Sequence, residues 1–205
     1  MSGLEFEKKF VLDTRLADQI KNDLMLRVTK EPPYMVSGIR QYYDKDGDRY
    51  RSMFQGDEIT FVKEPKKGVK IGTHYSISIE ASAIPVSSDF FEEGWIKNKT
   101  RRLQKSRFTV PGNHPDQKIM VDFFFSCDHR QPVEFYAIVA EIETMLLPET
   151  ETLYLDFQLP IYLARYSLLA VNDTDPAMKV FKSANMVDQP ENIETVKRAI
   201  RQLYE

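Results

Sequence analysis

Residues 4–12 alternate with period two: Leu4, Phe6 and Phe10 fall in one phase, Glu5, Glu7 and Lys9 in the other. Only Lys8 breaks the period, so the segment predicts a strand with one apolar and one charged face. Asp13 or Thr14 can then cap a helix carrying Leu16, Ile20 and Leu24 on one side. Pro32 and Pro33 end that stretch, because neither can donate a backbone bond and each restricts its predecessor. Strands are predicted over 36–43 and 49–54, around a turn at 44–48 in which Gly47 offers positive φ. Further strands are predicted over 57–63 and 72–84, separated by a PKKG turn. Residues 89–98 mix Phe90, Phe91 and Trp95 with acids, which suits a short helix or loop whose aromatics close a core edge. Strand patterning resumes over 103–110, 118–125 and 136–145, with turns at PGNHPD and CDHRQP. It loosens after Pro148, and 179–187 carry no clear assignment. Residues 189–204 predict a helix, with Asp188 as cap, Glu191 three residues on, and Ile193, Val196, Ile200 and Leu203 in one stripe. No repeat, low-complexity run or linker interrupts residues 1–205, which are expected to form a single domain.

The charged phase recurs from strand to strand. Arg49 and Arg51 share a face, as do Lys105 and Arg107 (with Arg101 and Leu103), and Glu141 and Glu143. Arg40 and Lys63 sit in neighbouring strands. Two arrangements accommodate this pattern. One is a two-layer sheet with a wet face. The other is a sheet closed into a tunnel, with charges inside and apolar residues outside, partly covered by the terminal helices. Unpaired buried charge is expensive, so such a lumen needs water, metal or a bound anion. Guanidinium forks match phosphate oxygens and carboxylates hold hard divalent cations, so the mixture suits a polyphosphate–metal complex. Lys8, Arg102 and the acids of 89–93 are expected to face solvent.

Composition narrows the classes. At 205 residues, with 28 Lys plus Arg against 31 Asp plus Glu, the net charge of −3 gives no support to broad nucleic-acid binding. A full core is within reach of one domain, and 10 Tyr with 13 Phe fit a β-rich one. The single cysteine, Cys127, excludes an intramolecular disulfide and fits a reducing compartment. No secretory leader or run of apolar residues long enough to span a membrane is visible, so a cytoplasmic location is expected. Cys127, Asp128 and His129 offer zinc chemistry without a second cluster. No P-loop signature and no nucleophile–base constellation is present.

The amino-terminal ExExK, Glu5-Phe-Glu7-Lys-Lys9, resembles the hallmark of the CYTH superfamily, the triphosphate tunnel metalloenzymes. In the family's order follow IRQYY with Arg40, RYR with Arg49 and Arg51, TFVK with Lys63, QKSRF with Lys105 and Arg107, VDFF with Asp122, and AEIET with Glu141 and Glu143. The resemblance covers roughly residues 3–145. It implies an α+β, mainly β fold: a closed eight-stranded antiparallel tunnel with flanking helices. Lys9, Arg49, Arg51, Lys63, Lys105 and Arg107 would contact phosphate oxygens, with Arg40 preceding the family's tunnel segment. Glu5, Glu7, Glu141 and Glu143 would hold Mg²⁺ or Mn²⁺, with Glu5, Glu7 and Glu143 closest to the chemistry. Asp122 would orient a basic residue or support metal. The chain departs from the family at its RxExE strand. It has His74, Ser76, Ser78 and Glu80 there, so Glu80 alone remains as a metal ligand from that strand.

The resemblance implies metal-dependent triphosphate hydrolysis. The substrate would be tripolyphosphate, a nucleoside triphosphate, thiamine triphosphate or an RNA 5′-triphosphate, with Arg101 and Arg102 at the mouth for RNA and Trp95 stacking on thiamine. The alternatives are a class IV-type adenylate cyclase making cyclic AMP and pyrophosphate, and a non-catalytic module that binds a phosphorylated ligand. No membrane partner is expected. An apolar exterior leaves a homodimer open.

Overall fold

The computed structural model describes residues 3–28, 36–69, 76–80, 82–115, 117–127, 135–146, 157–171, 175–181, 186 and 190–204. In chain order the elements are β1 (Gly3–Leu12), α1 (Ala17–Met25), β2 (Val36–Tyr43), β3 (Arg49–Gln55), β4 (Glu58–Glu64), β5 (Lys66–Val69), β6 (Ser76–Glu80) and β7 (Ile84–Pro85). They continue with α2 (Ser88–Lys97), β8 (Arg102–Pro111), β9 (Gln117–Phe125), β10 (Phe135–Leu146), α3 (Ile161–Ala164), β11 (Ser167–Ala170) and α4 (Pro190–Gln202).

The pairing is antiparallel throughout, in the order β5-β6-β1-β10-β9-β8-β2-β3-β4-β7, with β11 added to β1. This corrects the expected closed eight-stranded tunnel. Among the described residues the sheet has eleven strands, and no pairing joins its β5 end to its β7 end. It nevertheless curls. Glu5 on β1 and Arg49 on β3 feel each other's charge although β10, β9, β8 and β2 stand between them in the sheet. The PKKG segment is a second correction: Lys66–Val69 pairs with β6 as a strand, where a turn was expected.

Three helices cover the outer, apolar phase of the strands. Asp13 accepts a bond from the Arg15 amide and opens a short 3-10 turn leading into α1. Ile20 and Leu24 of α1, with Leu163 of α3, pack on Phe10, Leu12, Val121 and Ile142. On β2 and β3, α2 lays Phe91 and Trp95 over Tyr42 and Tyr50, whose rings stack at 4.9 Å. Gly94 is required there, since a Cβ at that position would lie 2.0 Å from the Tyr42 hydroxyl. Gly47 takes φ +86° in the β2–β3 turn, as its position predicted.

The last helix packs elsewhere. Ile193, Val196 and Ile200 of α4 join Val11, Leu103, Phe124 and Val139, which share the inner phase of the sheet with the charged residues. One end of the inner face is therefore an apolar plug and the remainder is charged. The expected cap Asp188 and the zinc-compatible Asp128 and His129 lie outside the described residues, as does His74. Among the described residues, no helix is long and apolar enough to cross a membrane.

Candidate active site

Register places the charged residues together. On antiparallel strands directly paired residues point to the same side, so one inner row can be followed from strand to strand. Glu7 pairs with Glu143 and Lys9 with Glu141. Glu143 then pairs with Lys118, Arg107 with Asp122, and Arg49 with Glu64. Arg51 lies opposite Gln41. Glu5, Lys9, Arg51, Lys105, Asp122, Glu141 and Glu143 are all buried, a degree of burial charged residues reach only when paired.

The pairing forms a continuous lattice. Arg107 grips Asp122 as a fork, Nε to Oδ1 and Nη2 to Oδ2, both at 2.7 Å, and reaches Glu141 at 3.3 Å. Lys105 also donates to Asp122, and Lys9 donates to Glu141 while lying 3.2 Å from Glu7. At the rim, Lys118 bridges to Glu143 at 2.7 Å. On the opposite side of the inner face, Glu64 stands 2.8 Å from Arg49 and 3.1 Å from Arg51.

Burial and neighbouring charge pull these groups in opposite directions. Burial dominates at Lys105, with the nearby Arg107 adding to it, and its ammonium is depressed to about 7. Burial, assisted by Arg49, also lowers Arg51, to about 10. At Lys9 burial is outweighed by Glu141 and Glu7 together, which hold the ammonium above its usual range. Burial opposes ionisation of Glu141 and Asp122 as well, but Lys9 at the first and Arg107 at the second lead a set of cations that keeps both carboxyls low. Glu143 is the exception. Burial raises it, Lys118 opposes, and the like charge of Glu5 pushes it further up.

That exception bears on metal. Glu5 and Glu143 are buried oxygen donors held together against their own repulsion, a donor set that suits a hard divalent cation. Glu7, paired in register with Glu143, adjoins them. Asp122 and Glu141 are bonded by the buried or partly buried Lys105, Arg107 and Lys9, whereas the partner of Glu143 is Lys118 at the exposed rim. Among the described residues no three carboxylates converge closely enough to cage an ion. The described side chains therefore fit a metal bound partly by ligand or solvent oxygens at Glu5 and Glu143. They do not fit an all-protein cage. Glu80 is placed by register opposite Gly3, with Ser78 opposite Glu5 and Ser76 opposite Glu7.

Two expected phosphate contacts lie away from this lattice. Lys63 pairs with Tyr50, on the outer face, where it bridges to Asp48 and lies over the Tyr50 ring. Arg40 pairs with Ser52 and Gln104 and also points outward, forking onto Glu92 of α2 at 2.7 and 2.8 Å and covering Trp95. Arg101 precedes β8 and donates to the Asp44 carbonyl. Sequence reasoning missed two inner charges. Lys118 shares the phase of Asp122 four residues later, and Glu64 follows the end predicted for its strand by one residue.

No family model and no curated protein matches the chain. Among solved structures it is similar to the inorganic triphosphatase NE1496, at 19% identity over 90% of this chain and 95% of that one, with a TM-score of 0.43. It is also similar to the PH1819 protein of Pyrococcus horikoshii OT3, at 18% identity over 97% and 89% of the two chains, TM-score 0.44. A third likeness is to the Mimivirus capping enzyme triphosphatase, at 13% identity over 72% and 82%, TM-score 0.42. At these identities and scores none of the three decides what this chain binds.

Proposed function

We propose that the inner face binds a triphosphate and hydrolyses its terminal phosphoryl group with the help of Mg²⁺ or Mn²⁺. The observation that supports this best is the polarity of the lattice. A row of guanidinium and ammonium groups, Arg51 and Lys105 buried and Arg49 and Arg107 partly buried, faces buried carboxylates on β1 and β10 across one curled sheet. Burying that many charges is costly and confers little net stability, which points to a ligand. The ordered motifs that resemble the CYTH superfamily name the ligand class. In this reading residues 1–205 form a single CYTH-like domain that holds the triphosphate on its curled inner face rather than in a closed tunnel.

Arg49 and Arg51 clamp non-bridging oxygens, with Arg107 held at a set angle by its fork to Asp122 and Lys9 steadied between Glu7 and Glu141. Glu5 and Glu143, with Glu7 beside them, would hold the divalent ion, which would supply positive charge to the phosphoryl oxygens. Glu7 orients the attacking water. Water adds to the terminal phosphorus, the bridging P–O bond breaks, and orthophosphate leaves a diphosphate. Fixed cations that need no reorganisation during this step lower its barrier. Lys63 and Arg40, on the outer face, take no part in it.

Phosphorus NMR of the protein with tripolyphosphate or ATP, with and without metal, tests the reading. Metal-dependent orthophosphate supports it. Cyclic AMP with pyrophosphate would replace it with the cyclase. Shifted ligand resonances without product would leave a binding module, the reading favoured by Ser76 and Ser78 where the family's pattern has acids.

A further inference from the structure

We propose that Glu64 is a built-in competitor for the anion site, occupying Arg49 and Arg51 until a metal-bound triphosphate displaces it. By this means the inner face selects metal-loaded over metal-free polyanion. The inference rests on the triphosphate reading above and adds a specificity-determining residue to it.

The charge census carries the first step. The lattice balances six cations, Lys9, Arg49, Arg51, Lys105, Arg107 and Lys118, against the six carboxylates of Glu5, Glu7, Glu64, Asp122, Glu141 and Glu143, and by register Lys66, Glu58 and Glu80 add one positive and two negative charges in the same phase. A near-neutral face gains little from a bare polyanion, which would leave it strongly negative. A divalent cation entering with the anion offsets that excess.

Geometry identifies the carboxylate that yields. Asp122 is fully buried, and its bonds to Arg107 are two aligned contacts of 2.7 Å. Glu141 and Glu143 are likewise buried, each held by a lysine. The Glu64 side chain is 18% exposed, against 0% for Asp122. Arg51 Nη1 donates to Glu64 Oε1 at 3.1 Å, whereas the approach of Glu64 Oε2 to Arg49 Nε is short without being aligned as a hydrogen bond, and Arg51 Nε makes none. Both nitrogens are buried donors whose hydrogen-bonding capacity Glu64 leaves unmet. A phosphate oxygen can supply to the two Nε groups what the Glu64 carboxylate does not, and Glu64 is near enough to the surface to swing into water when displaced. The repulsion between Arg49 and Arg51 then passes from Glu64 to the ligand.

Calorimetry with tripolyphosphate in EDTA and in excess Mg²⁺, on wild type and Glu64→Gln, tests the proposal, with Glu64→Ala as second variant. The variants should bind metal-free tripolyphosphate about tenfold more tightly or better, the size of one charged hydrogen bond no longer contested. Their affinity in Mg²⁺ should change by less, so the metal requirement shrinks. Melting temperatures should fall without ligand and recover further than wild type on adding tripolyphosphate. Unchanged or weaker metal-free binding, with Mg²⁺-dependent binding intact, would overturn the role of Glu64 alone. No binding by any of the three proteins in either condition would overturn the triphosphate reading, and this inference with it.

Discussion

Replacing Asp122 with Asn probes how the lattice is held together. Asp122 is fully buried between Lys105 and Arg107. Removing its charge leaves two buried cations, and breaking a buried pair in this way costs about 3–5 kcal/mol. Arg107 retains Glu141, so the loss falls mainly on Lys105. Lys105 can escape by shedding its proton, and because burial and Arg107 already bring it to about 7, the escape is easy. The sign follows from linkage. A lysine depressed in the folded state binds fewer protons there than in the unfolded chain, so its penalty is present at low pH and fades as pH rises above the folded value. In wild type Lys105 is largely charged at pH 6 and neutral at pH 9. Without Asp122 its pKa drops further, so it is already neutral at pH 6. The destabilisation caused by Asp122→Asn should therefore be smaller at pH 9 than at pH 6 by about 1 kcal/mol, since one pKa unit is worth 1.36 kcal/mol. Urea unfolding of both proteins at the two pH values measures this. A loss below about 1 kcal/mol at pH 6, or a greater loss at pH 9, would refute the reasoning.

If the inner face binds triphosphate as proposed, Arg51→Ala removes one of its guanidinium groups and should weaken tripolyphosphate binding by about ten- to a hundredfold in calorimetry, the range for a charged hydrogen bond. Arg40→Ala, on the outer face, should leave that binding unchanged and lower stability by about 1–2 kcal/mol, because the pair with half-exposed Glu92 contributes little and the guanidinium also covers the buried Trp95. Equal losses of binding in the two variants would contradict the assignment of faces. Glu7→Gln should reduce metal-dependent phosphate release far more than it shifts the thermal midpoint, and an unchanged rate would remove Glu7 from the site. Gly94→Ala should destabilise by about 1–3 kcal/mol, since its methyl meets the buried Tyr42 ring from a helix that cannot retreat without uncovering Phe91 and Trp95. Chemical denaturation at neutral pH decides this, and a neutral effect would mean that α2 is not seated on Tyr42.

What could be read from the sequence was whatever local periodicity controls. Glu5, Glu7 and Lys9 share a phase because three consecutive strand positions of one parity must, and the structure finds them with Glu141, Glu143, Lys105 and Arg107 on one face. Lys63 was legible too, had its own strand been phased. Ile59 and Phe61 alternate with Thr60 and Val62, so Lys63 belongs to the apolar parity and Glu64 to the inner one. The motif order drew Lys63 inward against that local signal. Arg40 has the parity of Tyr42, which α2 buries on the outside. The first strand of the β5–β6 pair was hidden for a different reason. Lys66, Lys67 and Gly68 have weak strand preference, and β6, some ten residues on, supplies the pairing they need.

The location of α4 and the state of the lattice lie beyond any local pattern, and the same physics governs both. The stripe of Ile193, Val196 and Ile200 says only that the helix must bury a face. Val11, Leu103 and Val139 offer the inner side of the sheet because the charged phase gives way to an apolar one partway along β1, β8 and β10. Lys105 stands at that boundary, over the Phe124 ring and bonded to Asp122. Its depressed ammonium is the electrostatic mark of the change from plug to lattice. A chain of net charge −3 can thus carry an inner face close to neutral. What such a face binds is set by which of its carboxylates can let go of an arginine, a property of pairing geometry between strands far apart in the chain.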